Sequence, residues 1–184
     1  MTASAPGPDQ SPPPARGAPL LITAELPGDI LSWADAIRRE HYPPERNRLG
    51  AHVTLFHGLP PSADSEVRGL LGEFSRELPP EATISGLMDL GRGTAFAVAS
   101  PAMEELHGRL AERLHGLIQQ KDARPLRLHI TVQNKVANTA AQDLQRELGS
   151  DFRPRSFRFR GLGLYLWDGE LWRLSHVYPF RGQR

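Results

Sequence analysis

Apolar and polar positions along the chain alternate in two recognisable rhythms, one of period two and one near 3.6, and together they set the order of elements. Residues 19 to 26, PLLITAEL, form a short apolar run with β-branched members and predict a first strand. In DILSWADAIRREHY, Ile30, Trp33, Ala34 and Ile37 recur at helical spacing, with Asp29 as the expected N-cap. PPERNRLG reads as a loop and AHVTLFHGL as the next strand. SADSEVRGLLGEFSREL carries Val67, Leu70, Leu71, Phe74 and Leu78 as a helical stripe. ATISGLMDLG and TAFAVAS read as two strands around the turn GRG. PAMEELHGRLAERLHGLIQQ is a helix with Pro101 at its first position. RLHITVQNKV is a strand, and NTAAQDLQRELG a helix capped by Asn138 or Thr139 and stopped at Gly149. SFRFRGLGLYLW and ELWRLSHVYPF predict two closing strands joined at Asp-Gly.

The resulting order is β-α-β-α-β-β followed by α-β-α-β-β. Helices mixed with hairpins predict an α+β fold with antiparallel sheets rather than a doubly wound parallel one. Each half holds a strand with His-x-Thr, then a helix, then a hairpin. Two sheets related by a pseudo-two-fold axis would bring those strands together.

Composition changes this picture mainly at the N-terminus. Residues 1–19 are rich in Pro, Ala, Ser and Gly with little to bury, so they are expected to be a disordered leader to a single domain over residues 20–184. The net charge of +1 argues against a dedicated duplex-DNA binder. With no cysteine, thiol nucleophiles, disulfides and zinc–thiolate sites are excluded. No apolar run reaches the roughly 18 residues a membrane span needs, and a cytoplasmic monomer is expected.

The candidate chemistry lies in two strands. Side chains at i and i+2 of a strand share a face. Regular alternation therefore places His52, Thr54 and Phe56 on one face, and Val53, Leu55 and His57 on the other. In the second strand Arg127, His129, Thr131 and Gln133 share a face opposite Leu128, Ile130 and Val132. His57 is thereby excluded from the candidate site unless a bulge shifts the register. Seven His and seven Thr give roughly 0.3 His-x-Thr triplets by chance, so two in equivalent strands call for an explanation. A lone strand histidine is more often structural, and Thr is common in strands by propensity; recurrence outweighs that reading. Two imidazoles and two hydroxyls suit in-line displacement at a phosphodiester. One ring would take a proton from the nucleophile, the other would give one to the leaving oxygen, and the hydroxyls would steady the phosphoryl oxygens. No metal or other cofactor is needed.

HVTLFHGLP and LHITVQNKV, one per half of a chain of this size, resemble the motifs of the 2H phosphoesterase superfamily, which includes 2′-5′ RNA ligase-like proteins and 2′,3′-cyclic phosphodiesterases. The resemblance spans roughly residues 19 to 181. It implies a bilobal fold with helices outside and the site in a cleft between two antiparallel sheets. It also implies His52 and His129 as the catalytic pair, Thr54 and Thr131 as phosphate-binding hydroxyls, and an RNA or nucleotide substrate. The implied activity is hydrolysis of 2′,3′-cyclic phosphates or of 2′-5′ linkages. The alternatives are 2′-5′ RNA ligation and a non-catalytic nucleotide- or RNA-binding module.

Several further residues are candidates with a structural alternative beside them. Phe56 could stack on a base or pack in the core, and Arg127 could bind phosphate or be a solvated strand-end residue. His41, Tyr42, Arg46 and Arg48 sit in the loop before the first triplet, which could contact substrate at the cleft mouth but reads first as ordinary surface charge. Arg153, Arg155, Arg158 and Arg160, interleaved with Phe157 and Phe159, resemble either a nucleic-acid patch or a charged edge strand. Tyr165, Trp167 and Trp172 read as core or hairpin-flanking, and His107 and His115 as surface.

Overall fold

The computed structural model describes residues 17–118 and 126–183. The expected leader over residues 1–19 therefore lies almost wholly outside the described residues. So does the end of the helix expected to reach Gln120.

The elements run β1 (Leu20–Glu25), α1 (Gly28–His41), β2 (Val53–Leu59), α2 (Asp64–Phe74), β3 (Glu81–Asp89), β4 (Gly93–Ala99), α3 (Pro101–Arg113), β5 (His129–Asn134), α4 (Asn138–Ser150), β6 (Arg155–Arg158), β7 (Gly161–Trp167) and β8 (Trp172–Pro179). They build two four-stranded sheets, β2-β1-β7-β8 and β5-β4-β3-β6. Every pairing is antiparallel. The fold is α+β.

The two triplet-bearing strands, β2 and β5, each form one edge of a sheet, and the two edges approach one another. The halves of the sequence are not the two sheets. The β3–β4 hairpin, which follows the first triplet strand and α2, lies in the sheet of β5, while the β7–β8 hairpin lies in the sheet of β2. Helix α1 likewise leaves β1 and packs against β5, setting Trp33 against Phe96 of β4 with ring centroids 4.6 Å apart.

Buried aliphatic faces hold the sheets. Val53 and Leu55 of β2 and Leu128, Ile130 and Val132 around β5 are almost completely buried, as the alternation predicted. Each removes apolar area from water at about 25 cal/mol per Å². The helical stripe of Val67, Leu70, Leu71 and Phe74 is buried too, but Leu78 lies past the end of α2 and is exposed.

Several local expectations are corrected. The predicted strand SFRFRGLGLYLW is two strands in different sheets: β6 pairs with β3, and β7 with β1 and β8. At the switch, the amide of Phe159 donates to Pro80 and that of Arg160 to Glu25, so one stretch of backbone joins the sheets. Continuous alternation of Arg and Phe hid that break. Helix α3 ends at Arg113 and Gly116 adopts φ +84°, where periodicity alone would have continued. Asp29 is in the first turn of α1 rather than at its cap, and α4 has Ala137 at its N-cap with no side-chain cap bond. Ser100 caps α3 instead, its hydroxyl accepting from the Met103 amide, with Pro101 at the first position as expected. No helix among the described residues is long and apolar enough to cross a membrane.

Candidate active site

A cleft of about 590 Å³ opens where β2 meets β5, and His52, Thr54, His129 and Thr131 all line it. The two triplets are set by one local device used twice. In each, the ring Nδ1 lies close to the carbonyl oxygen two residues upstream: His52 to Gly50 at 2.7 Å, His129 to Arg127 at 2.6 Å. A carbonyl oxygen only accepts, so Nδ1 carries the proton and donates in both rings. Nε2 is then the atom each ring has left for exchange: an acceptor when the ring is neutral, a donor when it is protonated. Among the described residues, neither Thr54 nor Thr131 engages its hydroxyl in a hydrogen bond within the protein.

The correspondence continues past the threonines. In β2, Thr23 faces Thr54 but Ile22 faces Phe56, so Leu55 is an extra residue in the ladder. In β5, Ala95 faces Thr131 but Thr94 faces Gln133, so Val132 is extra. Each bulge inverts the alternation beyond it. Phe56 and Gln133, expected on the cleft face, are therefore buried; His57 and Asn134 take their places on the cleft wall. The next residues, Gly58 at φ +89° and Lys135 at φ +58°, both adopt left-handed backbone. Lys135 is the one described non-glycine residue to do so.

This geometry overturns the candidate role of Phe56. The Phe56 ring is fully buried and stacked on His107 of α3, with centroids 4.4 Å apart; it packs the core. His107, read as surface, is correspondingly buried. The Arg127 side chain is exposed and is not among the cleft residues; it is the carbonyl of Arg127 that serves, by holding His129. The arginines of the β6 segment do not join the cleft either. β6 is the opposite edge of its sheet from β5, Arg158 pairs with Glu81, and Arg155 lies over the Trp33 ring at 4.5 Å.

Arg38 is the residue that sequence reading passed over, because a charged residue on a surface helix carries no signal. It is almost completely buried, with 4% of its surface exposed. Its guanidinium donates to the carbonyls of Leu49 at 2.8 Å and Thr131 at 2.6 Å, and to Oδ1 of Asn47 at 2.9 and 3.1 Å. It also sits 4.3 Å from the centre of the Tyr42 ring. One turn earlier, Asp35 accepts from the amide of Ala51 at 2.7 Å. Helix α1 thus holds the segment leading into His52 with one hand and the backbone of the second triplet with the other. Buried carbonyls demand such partners, and a planar five-donor fork can serve several at once.

The electrostatics are uneven. The pKa of His52 is pushed down to about 4, chiefly by burial. The charges of Arg38 and His129 push the same way, against the opposing pull of the Gly50 carbonyl and Asp35. His52 is neutral at pH 7. The cleft lining includes three cationic side chains, Arg46, Arg48 and Lys135, and an aromatic group of His57, Trp167 and Trp172 with Glu170 and Leu171. Among the described residues there is no cluster of three or more His, Asp or Glu side chains able to hold a metal ion.

Comparison with known proteins follows the same lines. A profile described as the 2′-5′ RNA ligase superfamily matches residues 26–171. The chain belongs to that superfamily, and so to the 2H phosphoesterases. TT0787 of Thermus thermophilus is 15% identical with a TM-score of 0.61, over 90% of this chain and 100% of that one. LigT of E. coli, solved with NADP+, is 17% identical with a TM-score of 0.57, over 90% and 99%. A protein described as a phosphoesterase is 21% identical with a TM-score of 0.57, over 91% and 99%. At these identities the likeness is one of fold. No curated protein matches the sequence.

Proposed function

We propose that this member of the 2′-5′ RNA ligase superfamily hydrolyses ribose 2′,3′-cyclic phosphates at the end of an RNA or on a nucleotide, by acid–base catalysis between His52 and His129. The observation that carries the reading is the pair of matched His-x-Thr dyads on one cleft, each with Nδ1 tied to a backbone carbonyl and Nε2 left for exchange. Neutral His52 takes a proton from the attacking water through Nε2 as the water oxygen bonds to phosphorus. Protonated His129 gives its Nε2 proton to the ribose oxygen as the P–O bond breaks. Thr54 and Thr131 donate to the non-bridging oxygens, where charge builds in the transition state. One base and one acid, supplied by separate strands, suit in-line displacement, since entry and departure lie on opposite sides of phosphorus. LigT, which shares the fold, has been solved with 3′-AMP and with ATP, in keeping with a nucleotide substrate here.

The test is turnover of 2′,3′-cyclic nucleotides and of a short RNA ending in a cyclic phosphate, with excess chelator, alongside a 2′-5′ joining assay using the same RNA and a 5′-hydroxyl partner. Chelator-resistant ring opening by the wild type, and its loss in His52→Ala and His129→Ala variants that stay folded, is the expected result. Turnover abolished by chelator, or retained in either variant, contradicts the proposal.

A further inference from the structure

The cleft lining holds an aromatic group that the acid–base chemistry does not require. On the β7–β8 side, Trp167 and Trp172 face each other across the hairpin with ring centroids 5.4 Å apart. The His57 ring meets Trp172 edge-on at 5.8 Å. His57 belongs to this group only because the Leu55 bulge turned it toward the cleft. Both tryptophans are half-buried, so each retains surface for a ligand.

We infer that Trp172, braced by Trp167 and His57, is a stacking platform for the nucleobase of the substrate, and so selects nucleosides over bare sugar phosphates. This deepens the proposed activity and rests on its nucleotide substrate. Three observations favour a base over a phosphate at this group. Aromatic faces stack any base irrespective of sequence. Glu170, in the turn between the two tryptophans and part of the cleft lining, repels phosphate, while Arg46, Arg48 and Lys135 offer it cations from other segments of that lining. The platform is also held before substrate arrives. The Asp168 carboxylate accepts from the amides of Glu170 at 2.9 Å and Leu171 at 2.6 Å, and from Arg173. Those backbone bonds, before the Arg173 contact, hold its pKa down to about 2, so the turn stays tied throughout the neutral range. A rigid platform loses little conformational entropy on binding.

A cross-strand tryptophan pair also stabilises a hairpin, so loss of activity alone proves nothing. The readout is a preference: kcat/KM for adenosine 2′,3′-cyclic phosphate divided by that for the base-free methyl riboside 2,3-cyclic phosphate. The wild type is expected to prefer the nucleoside. Trp172→Leu should cut that preference about tenfold or more, the scale of removing one base–aromatic stack, and Trp172→Phe should restore most of it. A preference unchanged in Trp172→Leu overturns the platform, because damage to the hairpin lowers both rates and leaves their ratio alone. If the wild type turns over neither substrate, the reaction proposed above fails and binding decides the platform. Quenching of tryptophan fluorescence by adenosine 3′-monophosphate that is lost in Trp172→Leu supports it; quenching absent, or equal in both proteins, overturns it.

Discussion

Replacing Arg38 with Met removes the only side chain among the described residues that bonds both triplet segments, and the structure sets the size of the effect. The Met stem keeps most of the packing. The carbonyls of Leu49 and Thr131 and the Asn47 amide oxygen lose their donor, and Asp35 loses a guanidinium 3.9 Å away. A hydrogen bond from a charged donor contributes about 1.5–3 kcal/mol, but bonds to one group are not additive. Removing one partner from a buried charged cluster costs about 3–5 kcal/mol in all. With a urea m-value of about 2 kcal/mol/M, the midpoint should fall by roughly 1.5–2.5 M at unchanged m. Arg38→Lys keeps the charge but cannot span three acceptors, so it should remain folded, lose about half as much stability, and lose turnover beyond its loss of fold. Unfolding curves and kcat/KM on the three proteins supply the check. An Arg38→Met protein within about 1 kcal/mol of wild type, or a folded Arg38→Lys with full activity, would refute the idea that α1 sets the spacing of the two triplets.

Other consequences are as direct. His52 has a native pKa of about 4 against 6.5 in the unfolded chain, so between those values only the unfolded state binds the proton. Stability should be full above pH 6.5 and fall by about 1–3 kcal/mol toward pH 4. Chemical denaturation across that range in wild type and His52→Asn checks this, and equal slopes in the two would contradict it. The same shift predicts that the acid limb of kcat/KM lies nearer pH 4 than 6.5; a limb at 6.5 would show that another group governs it. Gly58 adopts φ +89° directly after the bulged segment, so Gly58→Ala should cost at least about 1–2 kcal/mol, measured as a lowered urea midpoint. An Arg46→Ala, Arg48→Ala double variant should bind short RNA more weakly, with a salt slope shallower by about 0.7 for each phosphate it no longer holds. Fluorescence anisotropy over a salt series reads this, and an unaltered slope would remove Arg46 and Arg48 from the substrate path.

The sequence carries the strands and the two triplets plainly, because each rests on a local rhythm: period two, apolar behind, His and Thr in front. What it hides is whatever a single inserted residue inverts. Leu55 and Val132 look like ordinary strand residues, yet they bulge, and so Phe56 exchanges places with His57 and Gln133 with Asn134. A bulge depends on the partner strand, and pairing is not visible one strand at a time. The signal that could have exposed it is the repeat itself, since HVTLFHG and HITVQNK align residue for residue into a left-handed position at Gly58 and Lys135. Arg38 was silent for another reason. Its burial comes from the crossing of α1 from β1 onto the sheet of β5, a tertiary fact with no local periodicity. Trp167 and Trp172 flank a hairpin turn as their positions suggested; that this turn forms a cleft wall follows only from where β7 and β8 join the sheet.

The most direct test of the central claim is a double-variant cycle on the two histidines, with kcat/KM for a 2′,3′-cyclic nucleotide measured in wild type, His52→Ala, His129→Ala and the double variant. If His52 and His129 serve one displacement as base and acid, each single variant should lose about 10²- to 10⁴-fold, and the double variant little more, because groups acting as a unit are strongly non-additive. Near-wild-type activity in either single variant, or losses that simply multiply in the double, would contradict the account.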